Sequence, residues 1–244
     1  MSLRRVYKNP PIKEVVCEFR FTKNGRWDAT IPGIIYEDLK DEYPKKVHGK
    51  ELEIGISKDS IEHTFRVSDR VKFTNKEETI LIQIGPHHLI INLLTKYTSW
   101  EDYTKKINRI LSSFIDALGS NDIERINLNY INEIQVPQKF MDKNNSIQLD
   151  SLFDFYPFLG KNLSWNYSSF IIGVQFPKNN KDILQMQMEG KEEKILLDLS
   201  YFINNSDNKG INVNEWLNRA HDSIIDAFES CIKDPLREEF KVVK

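Results

Sequence analysis

Eight side chains combine polar chemistry with strand spacing: Glu18, Arg20, Gln83, Asn127, Asn129, Glu133, Gln185 and Gln187. Each alternates with apolar neighbours, and a strand sends alternate side chains to opposite faces of a sheet. Glu14, Glu18 and Arg20 fall together in a first strand, Asn127, Asn129 and Glu133 in a central one, and Gln185 and Gln187 in a later counterpart. All are expected to project to one side. A broad face of amides and a few charges can hold a polar ligand, a peptide or a nucleic-acid backbone through hydrogen bonds. The competing reading is a face covered by water or by a second subunit. Ile131, apolar among these polar residues, favours something packed there.

Other site chemistries lack their residues. The histidines are His48, His63, His87, His88 and His221. His87 and His88 are adjacent, so a strand would send them apart and they cannot chelate one ion together. No His-x-x-x-His or Cys-x-x-Cys spacing occurs, and no metal site is expected. His221 falls on an apolar helix face, where a core histidine with a satisfied hydrogen bond is expected. The 10 glycines form neither G-x-x-x-x-G-K nor G-x-G-x-x-G, so no phosphate cradle and no nucleotide cofactor is expected. There is no G-x-S-x-G elbow, and neither cysteine has basic neighbours to activate it. No catalytic residue is assigned. An enzyme whose groups meet only in space stays open.

Charge and length narrow the partners. With 34 basic and 36 acidic residues the formal net charge is -2, which gives no global pull toward nucleic acid or an anionic membrane. Lys45-Lys46 through Lys50 is too short and mixed to count as a nucleic-acid patch. No apolar run approaches the roughly 20 residues needed to span a bilayer, and the first residues hold no apolar signal core. Cys17 and Cys231 are far apart in sequence and are expected to be buried reduced thiols. A soluble, cytoplasmic protein is expected.

The elements that must position these groups can be read in order. Asn9-Pro10-Pro11 is rigid and extended, and a strand follows with Val15, Cys17, Phe19 and Phe21 on one side. Lys23-Asn24-Gly25 signals a turn, and a short helix runs from Pro32 to Tyr43. Residues 45–60 resist assignment, apart from a short strand at Leu52, Ile54 and Ile56. Strands are expected at Ile61–Val67 (continuing toward Phe73), Thr79–Ile84 and His88–Leu94. Tyr103, Ile107, Ile110, Leu111, Phe114 and Leu118 then mark one face of a helix from Ser99 to Leu118, stopped by Gly119. The central strand, Asp122 to Pro137, buries Ile126, Leu128, Tyr130, Ile134 and Val136, with polar Asn132 and apolar Ile131 out of pattern. Beyond it come a short helix within Leu149–Leu159, strands at Ser164–Phe176, Asp182–Met188 and Lys194–Phe202, a loop at Asn204–Gly210, and a helix from Val213 to Ile232.

The second long helix repeats the apolar spacing of the first at an offset of 114 residues, with His221 in the place of Ile107. Thr98-x-x-Glu101 and Asn212-x-x-Glu215 are capping boxes at the same offset. This implies an internal duplication, residues 12–118 and 123–233. The fold class is α+β: duplicated β-α-β-β-β-α units sharing one largely antiparallel sheet, with the long helices on one face, as a single pseudo-duplicated domain. Trp27, Trp100 and Trp165 read as partial core. The tail 234–240 is either a docking segment or folds back through Phe240.

Four segments, NPPIKEVVCEFRF at 9–21, Trp100-Glu101, RINLNYINEIQVP at 125–137 and AFESCIKDPLREEF at 227–240, resemble a sporadically distributed family of uncharacterised microbial proteins of about this length. The resemblance implies a full-length domain and brings no activity, cofactor or catalytic residue. Family members often carry an arginine near Asn129 or Glu133, where this chain departs. The reading that follows is a non-catalytic binding protein acting with a protein partner or as a homo-oligomer. The alternative is a regulator that binds a small molecule or nucleic acid, or an enzyme, using a pocket with Glu18, Arg20, Asn129 and Glu133.

Overall fold

The computed structural model describes residues 5–24, 26–56, 63–94, 99–143, 146–158, 160, 169–179, 181–191, 193–203 and 210–243, without the side chains of 50–56 and 63–69. Thr98, Trp165, Gly25, the side chain of His63 and most of the 204–210 loop therefore lie outside the described residues. Nine strands are described: β1 (Ile12–Phe21), β2 (Lys45–Ile56), β3 (His63–Thr74), β4 (Ile80–Gly85), β5 (His88–Leu93), β6 (Ile123–Gln135), β7 (Ser169–Lys178), β8 (Asp182–Lys191) and β9 (Lys194–Ile203). They form one antiparallel sheet in the order β2-β3-β4-β5-β1-β6-β9-β8-β7. The helices are α1 (Ile31–Leu39), α2 (Trp100–Leu118), α3 (Leu149–Leu152), α4 (Val213–Cys231) and α5 (Asp234–Phe240). No helix among the described residues is long and apolar enough to cross a membrane. The chain divides into two compact units. One comprises Val16–Ile126 with Asn205–Ile211, the other Met1–Val15, Asn127–Asn204 and Asn212–Lys244.

In the Val16–Ile126 unit, Cys17, Phe19 and Phe21 of β1, Ile80, Ile82 and Ile84 of β4, and Leu89, Ile91 and Leu93 of β5 are buried. Tyr103, Ile107, Ile110 and Phe114 of α2 are buried with them, and the Tyr103 hydroxyl donates to the Ile91 carbonyl at 2.8 Å. Each such side chain contributes about 1.5–3 kcal/mol on leaving water. Ser99 caps α2 by accepting from Asp102 N, one residue later than the expected Thr98. Gly119 closes it at φ 67, where a Cβ would be strained. Arg109 of α2 grips Asp38 of α1 through the carboxylate and the carbonyl, at 2.7 and 2.9 Å. The region that resisted assignment is a twelve-residue strand, β2, paired with β3 from Lys45↔Thr74 to Ile56↔His63. Its lysines, glutamates and glycines hide the alternation that marks other strands.

In the other unit, α4 packs on the face of β8 and β9 that carries Leu184, Met186, Met188, Leu197, Leu199 and Tyr201. A buried carboxylate pins it: Asp182 accepts from Tyr201 Oη (2.9 Å), Trp216 Nε1 (3.1 Å) and Arg219 Nε (3.2 Å). His221 is the core histidine its helix position implied, with Nδ1 2.9 Å from Tyr130 Oη. Asn132 is buried on the same side as Tyr130, and its amide donates to the Leu197 carbonyl at 3.1 Å. Gly190 is glycine because the Phe170 ring of β7 lies where a Cβ would stand, 2.1 Å away. The tail folds back. Phe240 of α5 is buried against Tyr7, ring centres 5.7 Å apart, and Tyr7 pairs with Val242.

Candidate functional site

The eight polar side chains fall into two groups, one in each unit. Glu18, Arg20 and Gln83 belong to the first. Glu18 and Arg20 share a face of β1 opposite the buried Phe19, and the carboxylate accepts from Arg20 Nε at 2.7 Å. Its same oxygen lies 2.8 Å from His88 Nε2, and His88 Nδ1 lies 2.5 Å from Arg70 NH1. A guanidinium can only donate, so Nδ1 is the acceptor and the imidazole proton sits on Nε2, aimed at Glu18. Burial pushes the Glu18 carboxyl upward, but the bonds from His88 and Arg20 outweigh it and hold its pKa at about 2. Arg70 is buried at 4% exposure, and Gly85 leaves it room: a Cβ there would come within 3.3 Å of the arginine side chain. Gln83 Nε2 donates to Asn92 Oδ1 at 3.1 Å.

Asn127, Asn129, Glu133, Gln185 and Gln187 belong to the second unit. Strand register sets most of them in two adjacent rows. Asn129, Ser200, Gln185 and Gln175 face one another across β6, β9, β8 and β7, and Ile131, Asp198, Gln187 and Gly173 form the next row. Neighbouring strands stand about 4.8 Å apart, so each row is a continuous strip. Asp198 is its focus. Its carboxylate accepts from Asn129 Nδ2 and Ser200 Oγ, both at 3.3 Å, and burial, stronger than those two bonds, pushes its pKa up. The Oδ1 atoms of Asn127 and Asn129 are buried with no hydrogen-bond partner among the described residues. Buried acceptors without donors are costly and call for a reason. Together with the carboxylate they make an acceptor-rich strip suited to a ligand that donates hydrogen bonds. Glu133 stands apart, in an exposed ion cluster with Lys13 at 2.8 Å and Lys194 at 3.4 Å.

Sequence reading missed His88, Arg70 and Asn92 in the first group, and Asp198 and Ser200 in the second. The signal for Asp198 was available: Lys194, Leu196, Asp198 and Ser200 alternate with buried Ile195, Leu197 and Leu199. What the sequence lacked was the order that places β9 between β6 and β8. Both thiols are unsuited to nucleophilic work. Burial raises Cys17 well above its ordinary value, and burial with the Asp154 charge raises Cys231 to about 12. Among the described residues, no group of three or more His, Cys, Asp or Glu could hold a metal ion. Compared with protein-family models and with curated proteins, the chain matches none.

Proposed function

We propose that the chain is a non-catalytic binding protein that works through protein contacts, as a homo-oligomer or with a partner chain. The observation that carries this reading is β7. It ends the sheet, pairs among the described residues only with β8, and shows water both Ile171 (69% exposed) and Phe176 (43% exposed). An apolar strand edge of this kind invites a further strand. Native mass spectrometry of gently purified protein tests the reading. A homo-oligomer or a stoichiometric co-purifying chain is expected, and a bare monomer that recovers no partner would sink it.

A second reading rests on the acceptor strip. There the polar face binds a donor-bearing small molecule, with Asn127, Asn129, Asp198, Gln185 and Gln187 as its contacts. A retained small mass in the same spectrum, lost on Asn129→Ala, would favour it.

We also propose that the chain arose by duplication, with Glu18 and Arg20 in one copy and Asn129 and Glu133 in the other. Strand order supports this. From β1 outward the sequence is first strand, last strand and then backward (β1, β5, β4, β3, β2), and from β6 outward it runs the same way with one strand fewer (β6, β9, β8, β7).

A further inference from the structure

We propose that β7 pairs antiparallel with the β7 of a second copy of this chain, about a twofold axis at Gly173. This rests on the reading of the chain as a protein-binding module and names the partner and the register.

Three observations converge. From Ser169 to Pro177 the edge strand carries no charge, whereas the opposite edge, β2, contains Lys45, Lys46, His48 and Lys50. Lysine and proline on an edge are the usual guards against strand addition, and β7 carries neither before Pro177 and Lys178 at its far end. Gly173 sits at the middle of that strand with no local need for glycine: a Cβ would meet only the Met186 carbonyl, at an ordinary 3.7 Å. An interior strand glycine weakens its own sheet and often marks close approach by another backbone. The strand is also complementary to itself. Centred on Gly173, Phe170 faces the second copy's Phe176, and Ile172 faces the second copy's Val174. On the other face Ile171 meets Gln175, and glycine meets glycine at the axis. Opposed residues in an antiparallel pair share a face, so every helix-side pair is apolar with apolar. Moving the centre to Val174 would set Lys178 against Phe170. A twofold contact of this kind closes on itself and ends at a dimer.

The ladder is about 30 Å long, a small interface, so the dimer is expected to dissociate at roughly micromolar concentration. Sedimentation equilibrium on the whole chain tests it, with Gly173→Lys and Gly173→Glu, which place like charges opposite each other at the axis. The wild type is expected to dimerise, each variant alone to be monomeric, and a mixture of the two to dimerise again through the Lys–Glu pair. Hydrogen exchange on the unmodified protein gives a second readout: amides of β7 should gain protection as concentration rises, with β2 unchanged. A wild-type monomer with concentration-independent exchange overturns the proposal and leaves a heterologous partner open. A dimer that survives both substitutions also overturns it and moves the homo-oligomer contact elsewhere. A mixture that stays monomeric refutes the Gly173 register.

Discussion

Glu18 shows how a single side chain links the polar face to stability. Its carboxyl is held at about 2 against an ordinary value of 4.5, through His88 and Arg20 and despite burial. A depressed folded-state pKa contributes stability that is complete above the unfolded value and is lost as pH falls toward the folded one. Wild-type stability should therefore drop between pH 4.5 and about 2, by at most about 3 kcal/mol. Glu18→Gln should flatten that part of the pH profile while lowering stability at neutral pH, read by denaturant unfolding at each pH. Asp198 has the opposite sign. Burial raises its pKa, so its charge at neutral pH costs stability, and stability should increase as pH falls through the raised value. Asp198→Asn should raise the thermal midpoint at pH 7. A stabilised variant that loses a bound small molecule would mark Asp198 as kept for binding rather than for folding. The sequence exposed the amides of this strip through their alternation. It did not expose that Lys13 and Lys194 occupy Glu133, because partners from three separate segments meet there only after the strands are ordered.

At the scale of elements, regular amphipathic segments were legible and irregular ones were not. The α2 face of Tyr103, Ile107, Ile110 and Phe114 is buried as its spacing required, and β6 buries the alternate residues from Ile126 to Ile134, with Val136 just beyond it buried too. The short helix expected within Leu149–Leu159 is the single turn α3, which ends where Phe153 leaves it to pair with Ile232. Only the Leu52–Ile56 end of β2 was legible, since both rows of the strand mix charge with apolar residues. The seating of α4 rests on a feature no periodicity reveals, the Asp182 carboxylate that gathers a tyrosine, a tryptophan and an arginine. Asp182→Ala leaves those buried donors without an acceptor and should cost about 2–4 kcal/mol, read from the shift in the denaturant midpoint. A variant as stable as the wild type would mean that helix packing alone seats α4.

For the molecule as a whole, the tie between the two ends of the described chain matters most. Glu229 of α4 accepts from Tyr7 Oη at 2.6 Å and Arg5 NH1 at 2.9 Å, and Arg237 of α5 binds both its carboxylate and its carbonyl. The Tyr7 hydroxyl is held well above its ordinary pKa, by burial first and then by the Glu229 charge. Residues 6–9 and 240–243 add backbone bonds, Lys8 N to Lys241 O, Asn9 N to Phe240 O and Val243 N to Val6 O. Deleting residues 234–244 would strip Phe240 and Leu236 from the core and leave Glu229 without Arg237. The truncated chain should lose several kcal/mol and melt at a lower temperature by calorimetry, and an unchanged transition would show the tail to be dispensable.

The direction of that terminal pairing also determines how the protein responds to tension. Val6 and Val243 lie at the outer end of a short antiparallel ladder, so a pull on the two chain ends loads its hydrogen bonds one after another, as in opening a zipper. Bonds broken in turn resist far less than bonds sheared together. The terminal arm should peel away at low force before the sheet yields, seen in single-molecule pulling from Val6 and Val243 as an early low-force step; a single high-force rupture would contradict it.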